Sequence, residues 1–350
     1  MKFIKNFGVV FFLAQITSYT ILAQKRIYIT TAIPGWWTGN LFDRHSDGNR
    51  QPHREPMYFL KKRLESLGYT VIEPRSLDNV DDTDFVVIFD LPPRHSVNRV
   101  MKQFQRIPKK KLMLFLWEPP SVMLHNYDTG NHHSFSKIYT WWDDLVDNER
   151  YFKFYYPCLQ SMIDDTITFK EKKLCTFIAG DKSSSHKNEL YSARRKTITF
   201  FEELGTNEFD FYGRGWSGHR YKNYKGQVRK KLDVLKKYRF CICYENIKKT
   251  SGYITEKIFD CFQAGCIPVY WGASNIADYI PKNCFIAREE FKDEKHLYNF
   301  MKNMSEKEYN HYIENIKKYL QSDQAQLYSI ENFINIFLQA IGHDEEKLLF

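Results

Sequence analysis

Two hydrophobic periodicities alternate along this chain. Short apolar runs bounded by polar and turn residues predict strands at 26–32, 70–72, 85–89, 112–117, 138–141 and 152–156. A second series follows at 174–178, 209–212, 240–244, 267–271 and 284–287. Between them the spacing becomes helical: Met57, Leu60, Leu64 and Leu67 recur every three or four residues and end at Gly68. Helices are expected likewise at 187–204, 226–238 and 253–264. Beyond Asn303 the pattern is helical throughout, with Ser305 and Glu308 at capping-box spacing and an amphipathic stretch at 327–341. Strand–helix alternation favours parallel, doubly wound sheets, and two series meeting near 164–173 predict two Rossmann-like α/β domains facing a cleft, with C-terminal helices.

The first 24 residues read differently. Lys2 and Lys5 precede a mostly apolar stretch ending at Ala23, which has the layout of a signal peptide or an N-terminal membrane anchor. Ile21 is large for a cleavage site, and Gln15, Thr17, Ser18 and Thr20 dilute the run as a membrane span. The expected division is 1–24 as leader or anchor, 25–168 as one domain and 169–350 as a second with a helical tail. Export or membrane association follows if the leader functions, and a cytoplasmic location if it does not.

Composition narrows the class. With 350 residues and 43% hydrophobic side chains there is chain enough for two cores, which excludes wholesale disorder and a polytopic membrane protein. The net charge of +9 favours anionic partners. No block of five like charges or basic–aromatic tract appears, which argues against nucleic acid as a partner. Seven cysteines, an odd number without a CxxC pair, lie mostly in apolar runs and are read as small hydrophobes. His125, His132 and His133 lack zinc-ligand spacing and are read as loop residues. Asp82-Thr83-Asp84 precedes its strand and so sits at the wrong end of the sheet for a ligand.

The richest segment runs from Tyr238: YRFCICYENIKKTSGYITEKIFDCFQAGCIPVYWGA. It reads as strand, loop, helix, strand. Glu245-Asn246 and Gly272-Ala273 fall at carboxyl ends of strands, where open α/β sheets bind ligands. The helix beginning near Glu256 offers unpaired N–H groups to a diphosphate. Lys257 in its first turn opposes the helix dipole, a conflict an anionic ligand would remove, and Glu256 can accept hydrogen bonds from sugar hydroxyls. An ordinary βαβ unit with a solvated Glu–Lys pair is the alternative.

The strand-end Tyr-Glu-Asn, the Tyr253–Lys257 core and the following AGCIPVYWGA resemble the C-terminal signature of glycosyltransferase family 10, the α1,3/α1,4-fucosyltransferases. The resemblance implies a GT-B architecture of two Rossmann-like domains, with the C-terminal one holding GDP-fucose and the N-terminal one on the acceptor side. It implies an inverting transfer of L-fucose from GDP-β-L-fucose to an oligosaccharide or glycoconjugate hydroxyl, of N-acetylglucosamine type. By resemblance Asn246, Tyr253, Glu256 and Lys257 belong to the donor site, with Lys257 toward phosphate. Arg194 is the expected diphosphate contact, with Arg195 adjacent if the register slips by one. Arg214, in a Tyr-Gly-Arg turn, and Glu245 are further donor-side candidates. No metal site is implied and no cofactor is required, a divalent cation being at most stimulatory.

Inverting transfer needs a base. Trp117-Glu118-Pro119-Pro120 ends a buried-looking strand, and Glu118 resembles the family's proposed base in a looser setting; a strand-end surface carboxylate is the alternative. Trp36, Trp37, Trp141 and Asp143 are acceptor-side candidates, since exposed tryptophans stack on sugars whereas buried ones merely pack. The competing functions are a same-fold transferase for another nucleotide sugar and a catalytically inactive glycan-binding protein.

Overall fold

The computed structural model describes residues 25–31, 41–44, 54–74, 82–92, 101–164 and 167–343. The leader and the tryptophans Trp36 and Trp37 lie outside the described residues. Among the described residues no helix is long and apolar enough to cross a membrane.

The first sheet contains β1 (Arg26–Thr31), β2 (Thr70–Ile72), β3 (Phe85–Phe89), β4 (Leu112–Leu116), β5 (Lys137–Thr140) and β6 (Tyr151–Lys153). Its order is β2-β1-β3-β4-β5-β6, with every pair parallel. Strands β3 and β4 are almost continuously apolar because helices and chain cover both faces of such a sheet. Helix α1 (Glu55–Ser66) inserts Met57, Leu60 and Leu64 into that core, as the periodicity requires.

The second sheet contains β7 (Lys173–Ile178), β8 (Phe209–Tyr212), β9 (Tyr238–Tyr244), β10 (Ile267–Trp271) and β11 (Ile286–Ala287), again all parallel. Its order, β11-β10-β9-β7-β8, puts the reversal of winding between β7 and β9. Around it lie α2 (Tyr191–Leu204), α3 (Lys231–Leu235) and α4 (Glu256–Gln263). The helix expected over 226–238 shrinks to α3.

The helical tail does not stay with the second domain. After α5 (Glu294–Asn303), α6 (Glu306–Leu320) and α7 (Asp323–Gln326), the last helix, α8 (Ile330–Ala340), crosses to the first sheet. Phe333, Ile334, Phe337 and Leu338 are buried there, and Phe337 stacks on Phe115 with ring centroids 5.8 Å apart. Each such side chain contributes about 1.5–3 kcal/mol by leaving water, enough to bind the tail across the domain boundary. The capping box at Ser305 and Glu308 forms as read.

Candidate active site

Site geometry begins at the β7/β9 switch point. A cavity of about 260 Å³ opens between the ends of these strands, lined by Ile178, Gly180, Tyr244 and Asn246 together with Arg194, Lys231, Glu256, Lys257 and Asp260. A second cavity, of about 480 Å³, lies toward the first domain and contains Trp117, Glu118 and Tyr156. Lys182, Glu256 and Asp260 line both, so the two spaces adjoin.

The Lys257 conflict noted from sequence is resolved inside the protein. Thr255 caps α4, and the Glu245 carboxylate accepts from its backbone N–H and its hydroxyl at 2.9 Å. The same carboxylate, wholly buried, ion-pairs with the Lys257 ammonium at 2.9 Å. Burial works against the Lys257 charge, but Glu245 and Glu256 outweigh it and hold the ammonium above its ordinary range. Gly272 makes room for this arrangement: a Cβ there would lie 2.6 Å from Glu245 Cγ and 2.5 Å from the Tyr270 hydroxyl oxygen. Glu245 is therefore the anchor beneath the cavity, with Glu256 above it, 3.7 Å from Lys257 and 3.8 Å from Lys231.

The two adjacent arginines lie in different surroundings. Arg194 is buried and lines the cavity, its Nη2 donating to Tyr244 O, Glu245 O and Asn246 Oδ1 at 2.7, 2.8 and 3.0 Å. Burial lowers its pKa, and its Nε has no partner among the described residues. Arg195 instead grips Asp181 and Lys182 O on the surface, and the Arg214 side chain is exposed and lines neither cavity.

Three expectations need correction. Tyr253 lines neither cavity; it is buried at the domain seam, its ring 4.5 Å from that of Trp141. Trp141 is itself buried and donates from Nε1 to Trp117 O, so it packs and presents no face for a sugar. Asp143 is a latch between the domains: it pairs with Lys153 and accepts from Asn275 Nδ2 at 2.9 Å and the Tyr279 hydroxyl at 2.8 Å. His132, read as a loop residue, is fully buried between Tyr151 and Asn126 O. Among the described residues no group of three or more His, Cys, Asp and Glu is arranged to hold a metal.

Glu118 stands where β4 ends, on a turn fixed from below by Asp90. That carboxylate, fully buried on a residue with φ 63°, accepts from Trp117 N at 2.6 Å, Glu118 N at 3.1 Å and Asn126 Nδ2 at 2.6 Å. Tyr127 donates to Glu118 O at 2.9 Å. Burial raises the Glu118 pKa, while Lys257 and Lys182 pull it down. A half-buried carboxylate with a raised pKa beside a cation-lined cavity can take a proton from a hydroxyl in the adjoining space. Sequence reasoning missed Asp90, Lys182, Lys231 and Asp260. Asp260 had a signal, falling four residues after Glu256 on the same helix face. Asp90 had one also, as a carboxylate closing a strand; Lys231 had none.

Two parallel-sheet domains with their cleft at strand carboxyl ends define the GT-B class of glycosyltransferase fold. Residues 167–336 match the model of glycosyltransferase family 10 (fucosyltransferase), C-terminal. The chain is 28% identical over 167 residues to an alpha-(1,3)-fucosyltransferase of Helicobacter pylori, covering 45% of this chain and 32% of that protein. It is 29% identical to the mouse 4-galactosyl-N-acetylglucosaminide 3-alpha-L-fucosyltransferase 9, over 38% of this chain and 33% of that one. The chain thus spans about a third of the length of these relatives. The fold resembles a crystal structure of an alpha1,3-fucosyltransferase with GDP-fucose, with TM-score 0.54, 18% identity and 91% of each chain covered. It also resembles a DNA-modifying beta-glucosyltransferase, with TM-score 0.50, 15% identity, and 90% of this chain and 99% of that one covered.

Proposed function

We propose that this protein is an inverting α1,3-fucosyltransferase that moves L-fucose from GDP-β-L-fucose to a hydroxyl of an N-acetylglucosamine-type oligosaccharide or glycoconjugate. The observation that carries the reading is the junction of two cavities, one lined by Arg194 and Lys257 and the other containing Glu118. In this scheme Glu118 takes the acceptor proton as the acceptor oxygen bonds to the fucose C1 and the bond from C1 to the phosphate oxygen breaks. Negative charge gathers on the departing GDP, where Lys257 and Arg194 are already in place to stabilise it. Glu256 accepts from a donor hydroxyl, and no step passes through a metal. Export or membrane association through residues 1–24 completes the proposal and rests on the sequence pattern.

The test is GDP release from GDP-fucose by leader-deleted protein, with and without N-acetyllactosamine-type acceptors, beside Glu118→Gln. Acceptor-dependent release that collapses in the variant is expected. Stabilisation by a different nucleoside diphosphate in a thermal-shift panel would point to another nucleotide sugar. Glycan binding without stabilisation by any nucleotide would mean an inactive lectin-like protein.

A further inference from the structure

Four cations line the first cavity: Lys182, Arg194, Lys231 and Lys257. Three are engaged within the protein. Arg194 donates to the end of β9, Lys257 pairs with Glu245, and Lys231 pairs with Asp260 at 2.6 Å. The fourth differs. Among the described residues the Lys182 ammonium has neither a hydrogen bond nor an ion pair, although its backbone is firmly held. Arg195 donates to Asp181 Oδ1 at 2.9 and 2.7 Å and to Lys182 O at 2.6 Å, while Asp181 N donates to Arg214 O at 2.8 Å. The Lys182 side chain folds back over Gly180, its Cε 4.0 Å from where a Cβ would sit there. Two residues later the Ser184 hydroxyl donates to Ser121 O at 2.8 Å, tying this loop to the segment that follows Glu118.

Location gives the free ammonium its meaning. Of the three residues shared by the two cavities, Lys182 is the cation and Glu256 and Asp260 are carboxylates. Two carboxylates at that junction would repel a diphosphate, and an unpaired ammonium beside them offsets the repulsion. A cation already bound to a carboxylate must share itself when new charge appears, whereas an uncommitted one gives its full interaction to the transition state.

From this geometry we infer that Lys182 is a further catalytic residue, placing its ammonium on the diphosphate leaving group at the junction, with Arg195 and Asp181 as the positioning residues of its loop. The inference rests on the nucleotide-sugar reading above. As the C1–O bond breaks, its electron pair stays on the phosphate oxygen, and Lys182 stabilises that charge without transferring a proton. Glu118 takes the acceptor proton. The charged groups acting on Glu118 are Lys257, Lys182 and Glu256, with Asp90 beneath its turn.

The experiment compares wild type, Lys182→Ala and Lys182→Arg in three readouts: calorimetric affinity for GDP and for GMP, kcat and KM with GDP-fucose, and the pH profile of kcat/KM. Lys182→Ala is expected to weaken GDP but not GMP, and to lower kcat by roughly ten- to a hundredfold. Its acid limb moves to higher pH, because a cation favouring ionised Glu118 is gone. Lys182→Arg restores most of each property. Equal GDP affinity in wild type and Lys182→Ala, or a rise confined to the acceptor KM, overturns the inference; the latter assigns Lys182 to an anionic acceptor. Weakened GDP binding in a protein that never turns over GDP-fucose removes the transfer reading and leaves the Lys182 contact standing. Wild-type protein that binds no GDP removes both.

Discussion

Glu245, at the end of β9, and Lys257, in the first turn of α4, form a 2.9 Å ion pair whose carboxylate has no exposure to solvent. The pair fixes one of the cations that line the cavity. Lys257→Ala therefore removes a cavity cation and also strands a buried carboxylate that, among the described residues, then accepts hydrogen bonds from Thr255 alone. The expected loss is about 3 kcal/mol in urea denaturation, while Lys257→Arg stays close to wild type. An unchanged denaturation midpoint for Lys257→Ala would refute the anchoring role.

Gly272 is the space that Glu245 needs. Its φ is unremarkable, so the cost of a side chain is steric: the added methyl would overlap Glu245 and the Tyr270 hydroxyl. Gly272→Ala is expected to destabilise by about 1–3 kcal/mol. It should also weaken GDP binding without touching a cavity residue. Calorimetric titration at a temperature well below its melting point would separate the two effects.

Asp143 contributes a pH-dependent latch between the domains. Burial pushes its pKa up, but Lys153, Asn275 and Tyr279 together hold it below the ordinary 3.8. With a depressed native value, the stabilisation is present above pH 3.8 and is lost as the pH falls through that native value. Asp143→Asn is expected to lose about 1–3 kcal/mol at neutral pH and to show a flatter acid limb in stability against pH. Identical acid limbs in the two proteins would count against the latch.

Glu118 shifts in the opposite direction. Burial raises its pKa above the ordinary 4.5, so the acid limb of kcat/KM should fall at a higher pH than for an exposed glutamate. Glu118→Gln should cost roughly 10²–10⁴ in kcat and abolish that limb. A variant retaining both rate and limb would require another base.

Asp90 is expected to matter through Glu118. Asp90→Ala would leave the N–H groups of Trp117 and Glu118 and the Asn126 amide without their acceptor, at about 2–4 kcal/mol. Burial, with Glu118 nearby, raises the Asp90 pKa. Its contribution to stability is therefore full below pH 3.8 and is lost as the pH rises through the native value. Asp90→Asn retains one oxygen acceptor and should remove that dependence in acid titrations of stability.

Strand and helix positions were largely written in the chain, because apolar periodicity follows from which faces a doubly wound sheet must bury. The 267–271 strand and the capping box at Ser305 came from local pattern alone. So did the cluster of Asn246, Glu256 and Lys257, since consecutive strand, loop and helix are neighbours in space by construction. Of the adjacent Arg194 and Arg195, the sequence does not say which one is buried at the cavity; the packing of α2 on β9 puts Arg194 there.

What the sequence by itself determined is the class of fold, the grouping of Asn246, Glu256 and Lys257 at one strand end, and Glu118 as a strand-end carboxylate. Tertiary structure decided which of these groups remain free for a ligand. It turned Trp141 and Tyr253 into a buried seam, made Asp143 a latch, sent α8 across to the first sheet and brought Lys182 to the junction with Glu118. The physical reason is common to all four. Burial, pairing and exposure depend on contacts between segments distant in sequence, and a local pattern records which face of an element is apolar but not which partner covers it.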